Sequence, residues 1–207
     1  MTVGVVALAL DTGLDVGAAR RLGDYERLDD ADLTSAFEQV RLQRTGRIAW
    51  PPHLRAVRGL AAVIDSGRAI RRLDVDADAG VDEATRLRRL FAAWPDPGAE
   101  AVAWCAADLQ LLAARALMHD LPLPEGWCPD GFLGLADALG FPTAEAEPDA
   151  ELEYHELLGV GAMADRGPAA RAEGRYRLWL RLQVARGRMS PEERHQREAA
   201  WPAEGAA

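Results

Sequence analysis

The stretch VGVVALAL, residues 3–10, is followed at once by Asp11-Thr12-Gly13. The run is short, apolar and rich in Val and Leu, which is typical of a buried β-strand. Asp-Thr-Gly is a loop signal, so we expect the strand to end at Leu10 and Asp11 to lie just beyond it. A second apolar run, AEAVAWC over residues 99–105, predicts another buried strand, and Asp108 follows it at the entry to a helix.

The elements around these two strands predict an α/β fold with a mixed sheet. Two apolar runs over 54–64 and 68–75 flank Asp65-Ser66-Gly67, a pattern that predicts a β-hairpin. Helical spacing or boundary signals predict helices over 30–44, 81–94, 108–118, 132–139, 151–160 and 169–186. A capping box at Ser190-Pro191-Glu192-Glu193 starts a last short helix. We expect one domain over residues 1–200 and a frayed tail over 201–207.

Composition excludes several classes of protein. The chain has 207 residues, a formal net charge of −9 and 49% hydrophobic residues, which is ordinary for a single globular domain. Two Cys cannot form a disulfide framework, and no apolar run reaches the ~18 residues that a bilayer requires. The first ten residues lack the pattern of a signal peptide. We therefore expect a cytoplasmic protein with no membrane partner.

The positive charges are unusual in type and in position. All 24 basic residues are Arg, so every cation is a planar guanidinium that binds carboxylate or phosphate in a bidentate manner. Residues 166–197 hold nine Arg against three Glu, a local balance of about +6 in an otherwise acidic chain. Helical spacing predicts that one stripe of this segment packs inward, formed by Tyr176, Trp179, Leu180 and Val184. Several Arg residues lie largely off that stripe: Arg171, Arg177, Arg181 and Arg188. These Arg form either a solvated face paired with the acidic body or a ridge that contacts phosphates.

Two carboxylates are the best candidates for chemistry. Asp11 and Asp108 follow neighbouring strands, and together they offer a partial oxygen cage for Mg²⁺ or Mn²⁺. A two-metal site needs more carboxylates than this pair. The structural alternative is that Asp11 is a turn residue and Asp108 a helix N-cap. None of the four His has zinc-ligand spacing, Cys105 is typical of a buried apolar position, and the acidic stretch 145–153 is typical of a solvated linker.

Four segments resemble one family in chain order. They are LR…RGRMSPEE over residues 180–193, RALMH over 115–119, LADALGFP over 135–142, and 50–64 from Trp-Pro-Pro-His onward. These segments are similar to the predicted 3′-5′ exonucleases related to the proofreading domain of family-B DNA polymerases, in the DEDD superfamily. The resemblance implies a ribonuclease H-like fold: a mixed sheet of strand, hairpin, strand and a lost or reduced fifth strand, flanked by helices, with a helical C-terminal segment.

The resemblance also implies where the site residues lie. Such enzymes hold two divalent metals with four carboxylates. The Asp-x-Glu motif falls on Asp11 and Gly13, and the second motif keeps its Asp at Asp108. The third motif, Tyr-x-x-x-Asp, falls on Gly167 and Arg171. Two of the four metal carboxylates are therefore absent, and only Asp11 and Asp108 remain as metal ligands. The candidate nucleic-acid contacts come instead from the Arg-rich C-terminal segment and are Arg171, Arg175, Arg177 and Arg181.

The leading hypothesis is a degenerate, catalytically inactive exonuclease-like protein without a cofactor. Its implied partner is single-stranded DNA or RNA, with retention of nucleic-acid binding left open. One alternative is an active Mg²⁺- or Mn²⁺-dependent exonuclease with a rearranged site, in which Glu173, Asp137 or Asp15 supplies a displaced ligand. The other is a protein-interaction or regulatory module that uses its Arg-rich C-terminal helix to bind an acidic protein. The side chains around Asp11 and Asp108 distinguish these hypotheses.

Overall fold

A five-stranded mixed sheet forms the centre of the protein, in the order β3-β2-β1-β4-β5. The structure is a computed structural model that describes residues 4–23, 25, 27–46, 50–75, 80–95, 99–125, 127, 131–141, 148–160 (with side chains from 151) and 167–201. The strands are β1 (Val5–Leu14), β2 (Arg55–Asp65), β3 (Ile70–Asp74), β4 (Glu100–Ala103) and β5 (Phe132–Gly134). Strand β1 is antiparallel to β2 and parallel to β4, and β5 is parallel to β4. The predicted α/β class, mixed sheet and hairpin are confirmed.

Helices and one 3₁₀ turn (Pro52–Leu54) connect and cover the strands. The helices in the described part of the chain are α1 (Val16–Arg21), α2 (Asp30–Thr45), α3 (Glu83–Ala92), α4 (Ala106–Met118), α5 (Leu135–Ala138), α6 (Pro148–Leu157), α7 (Pro168–Ala185) and α8 (Pro191–Ala199). None of the described helices is long and apolar enough to cross a membrane.

The alternating side chains of β1 supply both halves of the core. One face of the sheet packs against α3 and α4, and its cluster includes Val6, Leu8, Leu10, Leu87 and Leu109. The opposite face packs against α7, and its cluster includes Val5, Ala7, Ala9, Tyr176 and Leu180. Since successive side chains of a strand point to opposite faces, a strand covered on both sides must be apolar throughout, as the sequence over 5–10 is. The strand thus fixes where the helices of both layers can pack.

Two elements differ clearly from the predicted ones, at the end of β1 and before α5. Strand β1 does not end at Leu10, because its pairing with β2 continues through a register shift between Asp11 and Thr12 as far as Leu14. Asp11 therefore lies inside the strand. The helix predicted over 132–139 is wrong in its first half, where a short fifth strand pairs with β4 before α5 begins.

The helix ends follow their capping residues. Asp29 and Asp82 cap α2 and α3 through their side chains, and Ser190 forms the predicted capping box with Glu193. Asp108 is not an N-cap: Cys105 occupies that position in α4, and Asp108 lies in the first turn. There its negative charge still faces the positive end of the helix dipole. Beyond α8, Trp201 packs against Tyr176, while 202–207 of the predicted tail lie outside the described residues.

A buried guanidinium joins four elements on the α3–α4 side. Arg115 of α4 donates to both carboxylate oxygens of Glu83, at 2.8 and 2.5 Å, and to Asp15 at 2.7 Å. Glu83 also accepts from the Val57 N–H of β2 at 2.6 Å, and Asp15 caps α1. His119 lies 2.9 Å from the same Glu83 carboxylate. Burial alone would raise the pKa of Glu83, but the bonds from Arg115, His119 and Val57 outweigh it and hold that pKa below its ordinary value.

We predict that Glu83→Gln lowers the free energy of unfolding by about 2–3 kcal/mol at pH 7, because it leaves the Arg115 cation and the Val57 N–H poorly partnered in a buried place. Glu83 has a depressed folded-state pKa, so its stabilisation is complete above the unfolded-state value of about 4.3 and is lost as pH falls through the folded-state value. Urea denaturation from pH 7 to pH 3 should show the difference between wild type and variant shrinking at the acid end.

The matched control is Glu198→Gln, which removes a carboxylate from a surface pair with Arg194 and should change stability by less than about 0.5 kcal/mol. Equal effects of the two substitutions at pH 7 would contradict the role given to Glu83.

Candidate functional site

The candidate site lies where β1 extends beyond the end of its parallel neighbour, β4. Pairing of β1 with β4 covers only Val5 to Ala7, whereas pairing with β2 continues to Leu14. The Gly4 carbonyl accepts from the Glu100 N–H, which shows that carbonyls of even-numbered residues in β1 point towards β4. The Leu8 and Leu10 carbonyls therefore point towards β4 where that strand no longer pairs with β1. A buried carbonyl in that position needs another donor.

Two guanidiniums from α7 supply the missing donors. Arg175 donates to the Leu8 carbonyl at 2.6 Å, and Arg171, one helical turn earlier, donates to the Leu10 carbonyl at 3.1 Å. Both side chains are buried. Helix α7 therefore continues the hydrogen bonding of β1 that β4 leaves incomplete.

Arg171 also binds the first candidate carboxylate. The same nitrogen, Nη2, that donates to Leu10 forms a short ion pair with Oδ1 of Asp11. The Arg171 side chain is 7% exposed, whereas the Asp11 side chain is 50% exposed, so the contact lies at the rim of the core. The expectation that Arg171 lies off the buried stripe of its helix is wrong. The side chain is buried because it binds the Leu10 carbonyl and the Asp11 carboxylate of β1.

The second candidate carboxylate has its own guanidinium. Arg55 opens β2 opposite Leu14, and its Nη2 lies 3.3 Å from Oδ1 of Asp108 and 3.2 Å from the Thr12 hydroxyl. Thr12 is the neighbour of Asp11, so Arg55 connects the end of β1 to the first turn of α4. The contacts are long, and both charged side chains are partly exposed.

A third guanidinium lies beside the remaining first-motif position. A Cβ atom built on Gly13 would lie 3.2 Å from Cγ and Nε of Arg58, which is tighter than ordinary van der Waals contact. Arg58 donates to the Leu14 carbonyl at 2.7 Å. A side chain at Gly13 would therefore require the Arg58 side chain to shift slightly.

The resulting balance of charge does not fit a two-metal centre. Asp11 contacts the Arg171 guanidinium and Asp108 contacts that of Arg55, while Arg58 lies beside Gly13. Two like unit charges 4 Å apart near a protein surface repel by about 4 kcal/mol, and a divalent ion doubles that term for each guanidinium it approaches. Among the residues that the structure describes, no three His, Cys, Asp or Glu side chains are grouped to hold a metal ion. In the described part of the chain, Asp11 and Asp108 instead contact guanidinium groups.

Two of the three carboxylates suggested as displaced ligands, Asp15 and Glu173, are engaged in other contacts. Asp15 pairs with Arg115 and caps α1. Glu173 pairs with Arg72 and Arg177. Asp137 lies beside Gly134, on the far side of β4 from β1 in the strand order.

A fully buried ion pair between α6 and α7 lies next to the candidate site. Glu151 of α6 accepts from Nε and Nη2 of Arg175 at 2.5 and 2.7 Å, and neither side chain is more than 2% exposed. Burial would lower the pKa of Arg175, but the charge and hydrogen bonds of Glu151 outweigh it and hold that pKa above its ordinary value. The expectation of a solvated linker over 145–153 is wrong at Glu151. Arg175 lies in this buried pair, so it adds nothing to an exposed basic ridge.

His155 fills the remaining space between α6 and α7. Its ring lies so close to Gly174 that a Cβ atom there would be 2.5 Å from Nδ1. Its Nε2 is buried without a hydrogen-bond partner, 3.8 Å from the Glu151 carboxylate. Burial lowers the pKa of His155, which favours the neutral ring.

Burial raises the pKa of the Cys105 thiol to about 11, so this Cys is not a reactive thiolate at neutral pH.

The other predicted positions have structural roles. Gly167 is the N-cap residue of α7 and its carbonyl accepts from the Arg171 N–H. Arg177 is half-buried, pairs with Glu173 and lies over the Trp201 ring. Arg181 is partly buried, and its Nε lacks a hydrogen-bond partner.

Sequence reasoning did not identify Arg55, Arg58 or Glu151 as part of the site. The only signal for the first two is that they are cations inside a run that otherwise predicts an apolar strand. Glu151 carried no signal, because a buried Glu in an acidic stretch looks the same in sequence as a solvated one. In comparisons with known proteins, no family model, curated protein or solved structure matches this chain.

We predict that Gly174→Ala destabilises the protein by about 1–3 kcal/mol, because the added methyl group meets the buried His155 ring rather than a flexible side-chain end. His155→Ala in the same chain should remove much of that penalty. A double-mutant cycle by urea denaturation measures the coupling.

Gly131→Ala is the control, since a Cβ there meets nothing within 4 Å. If Gly174→Ala costs no more than Gly131→Ala, or if the cycle shows no coupling, the close packing of α6 on α7 is contradicted.

Proposed function

We propose that this chain is a catalytically inactive protein related to 3′-5′ exonucleases of the DEDD superfamily, with a ribonuclease H-like fold. The observation that carries the proposal is that guanidiniums bind both remaining carboxylates, Arg171 on Asp11 and Arg55 on Asp108. A guanidinium bound to a carboxylate neutralises the charge that the carboxylate would otherwise offer to a metal.

The position of Arg171 supports the motif assignment. The sequence resemblance puts Arg171 where the third motif has its metal-binding Asp, and Asp11 where the first motif begins. In the structure these two side chains are in contact although 160 residues separate them. Two motif positions that the family brings to one metal site therefore meet in this chain as well.

The topology is consistent with the proposed fold. The order β3-β2-β1-β4-β5, with β2 antiparallel to β1 and the two strands on the other side parallel to it, agrees with a ribonuclease H-like sheet in general. The candidate residues lie beyond the carboxyl end of β4, and in α/β sheets ligands bind at this end of the strands.

The contacts of the Arg residues weigh against the two alternatives. In a rearranged active site, a divalent metal would have to displace Arg171 and Arg55 from their carboxylates. That displacement is opposed by the repulsion between the metal and the guanidinium charges. Burial of Arg171 removes one of the four off-stripe cations of the C-terminal helix that a protein partner could contact. The burial of Arg171 and Arg175 also removes two of the four predicted nucleic-acid contacts. Any binding of single-stranded DNA or RNA that the protein retains should be independent of divalent metal.

We predict that the purified protein does not shorten 5′-labelled single-stranded DNA or RNA from the 3′ end in 5 mM Mn²⁺ or Mg²⁺, since neither carboxylate is available to a metal. Product lengths on a denaturing gel measure this directly. The matched control is Asp11→Ala, purified in parallel, which reports contaminating nuclease.

Wild type and control should give the same background. Metal-dependent 3′ shortening that Asp11→Ala abolishes would overturn the proposal. Fluorescence anisotropy with the same oligonucleotides, with EDTA or with Mn²⁺, separately tests whether binding is metal-independent; a steep loss with salt identifies contacts to phosphates.

A further inference from the structure

Helix α8 is attached to the rest of the protein by a few side chains at its C-terminal end. The helix has no buried residue of its own. In the part of the chain that the structure describes, its ion-pair and ring contacts with the body of the protein come from Arg197 and from Trp201, which follows the helix. A helix that binds in a groove commonly uses two anchors with this spacing of four residues.

Asp65, the last residue of β2, binds the first anchor. Its side chain is only 2% exposed, and its Oδ2 forms a short ion pair with Arg197. The same carboxylate accepts from the Gly67 N–H at 2.7 Å and from the Tyr176 hydroxyl at 2.8 Å. Burial and the Asp65 charge raise the pKa of Tyr176, so the hydroxyl keeps its proton and remains a donor. These two neutral donors leave the negative charge of a buried carboxylate to be balanced by a cation.

The Trp201 ring is the second anchor. It lies between the Tyr176 ring, with centroids 5.6 Å apart, and the Arg177 guanidinium, 5.9 Å from its centroid. We call Asp65, Tyr176 and Arg177 together the α8 docking surface. A carboxylate beside an aromatic ring and a cation suits a guanidinium and an indole that arrive on one helical segment. The chemistry of the surface thus specifies its ligand as an Arg and a Trp four residues apart.

The connection between α7 and α8 is a short exposed turn. Gly187 has a φ of +67°, the left-handed conformation that favours glycine. The Gly187 N–H donates to the Val184 carbonyl and the Arg188 N–H to the Gln183 carbonyl, both at 2.9 Å, which closes the turn at the end of α7. Because few side chains attach α8, it can leave the body of the protein at a lower cost than unfolding of the core.

We propose that the α8 docking surface also binds the α8 of a second copy of this chain, so that two copies exchange their C-terminal segments. Each copy carries both the surface and the Arg197 and Trp201 anchors, so the exchange is reciprocal and closes as a two-fold dimer. Asp65 pairs with Val5 at the start of β1, whereas the candidate site lies near the other end of that strand. The inference therefore does not depend on the proposed function.

The contacts of α8 are the same within one chain and between two chains. Docking within the chain is favoured by the high effective concentration that the short connection gives. Exchange is therefore most visible when docking within each chain is blocked while one intact surface and one intact α8 remain in solution.

The experiment mixes two full-length variants that complement each other. The double variant Arg197→Ala, Trp201→Ala lacks both anchors and leaves the docking surface open. Asp65→Asn removes the charge that Arg197 binds and leaves α8 with its anchors intact. We expect sedimentation velocity, with each variant at about 100 µM, to show at least about fivefold more dimer in the mixture than in either variant alone.

Two further variants of the Asp65→Asn chain are the matched controls. Adding Arg197→Ala to that chain should abolish the gain in dimer, because its α8 then lacks the guanidinium. Adding Arg194→Ala, which breaks a pair with Glu198 within α8, should leave the gain unchanged. A mixture with no more dimer than its components would overturn the inference, and so would a gain that survives the loss of Arg197.

If Asp65→Asn does not fold, by circular dichroism, Gly187→Ala decides the question. A Cβ there meets nothing within 4 Å, so the substitution disfavours only the left-handed turn that keeps α8 on its own chain. Gly187→Ala should form several-fold more dimer than wild type. Gly159→Ala, which has the same backbone conformation and open space near the end of α6, should not. Equal amounts of dimer in these two variants would overturn the inference.

Discussion

The carbonyls that β1 leaves unpaired beyond Ala7 are the constraint on which the site depends. Buried backbone acceptors must find donors, and the parallel partner β4 ends too early to provide them. Helix α7 provides them through Arg171 and Arg175, and this draws two long charged side chains into the core. Each buried cation then needs an anionic partner. Asp11 pairs with Arg171, and Glu151 pairs with Arg175. These hydrogen bonds add to the apolar packing of α7 on the sheet, and the Arg175–Glu151 pair connects α6 to α7.

The same constraint bears on function. At the end of a strand such as β1, carboxylates facing each other require cations, and in metal-dependent hydrolases those cations are metals. Here the chain supplies guanidiniums from three places, the start of β2, its fourth residue and the first turns of α7. A guanidinium cannot deprotonate, so it neutralises carboxylates permanently, and it cannot lower the pKa of a bound water as a metal does. Under the proposed function, these guanidiniums neutralise the two carboxylates without supplying a metal-bound water.

Much of the fold could be predicted from local sequence. The hairpin, the helices over 30–44, 108–118 and 169–186, and the capping box at Ser190 depend on periodicity and short-range hydrogen bonds, which sequence displays. The residues 132–134 were predicted as helix because a three-residue strand has almost no periodicity, and only its pairing with β4 defines it. Helical spacing predicts a surface position for Arg171, because Arg is usually exposed. Its buried position depends instead on the Leu10 carbonyl of β1, which is distant in sequence. Motif alignment nevertheless singled out Asp11 and Arg171, which the structure brings into contact; the roles of Arg55, Arg58 and Glu151 depend on long-range pairing that no motif displays.

The central claim is that Arg171, rather than a metal ion, neutralises Asp11. A crystal structure of the wild-type protein grown with Mn²⁺, with data collected for anomalous scattering by manganese, tests it most directly. We predict that the Arg171 guanidinium contacts both Asp11 and the Leu10 carbonyl, and that the anomalous difference map has no peak within coordinating distance of Asp11 or Asp108. A manganese peak bound to Asp11, with the Arg171 side chain turned away, would contradict the account.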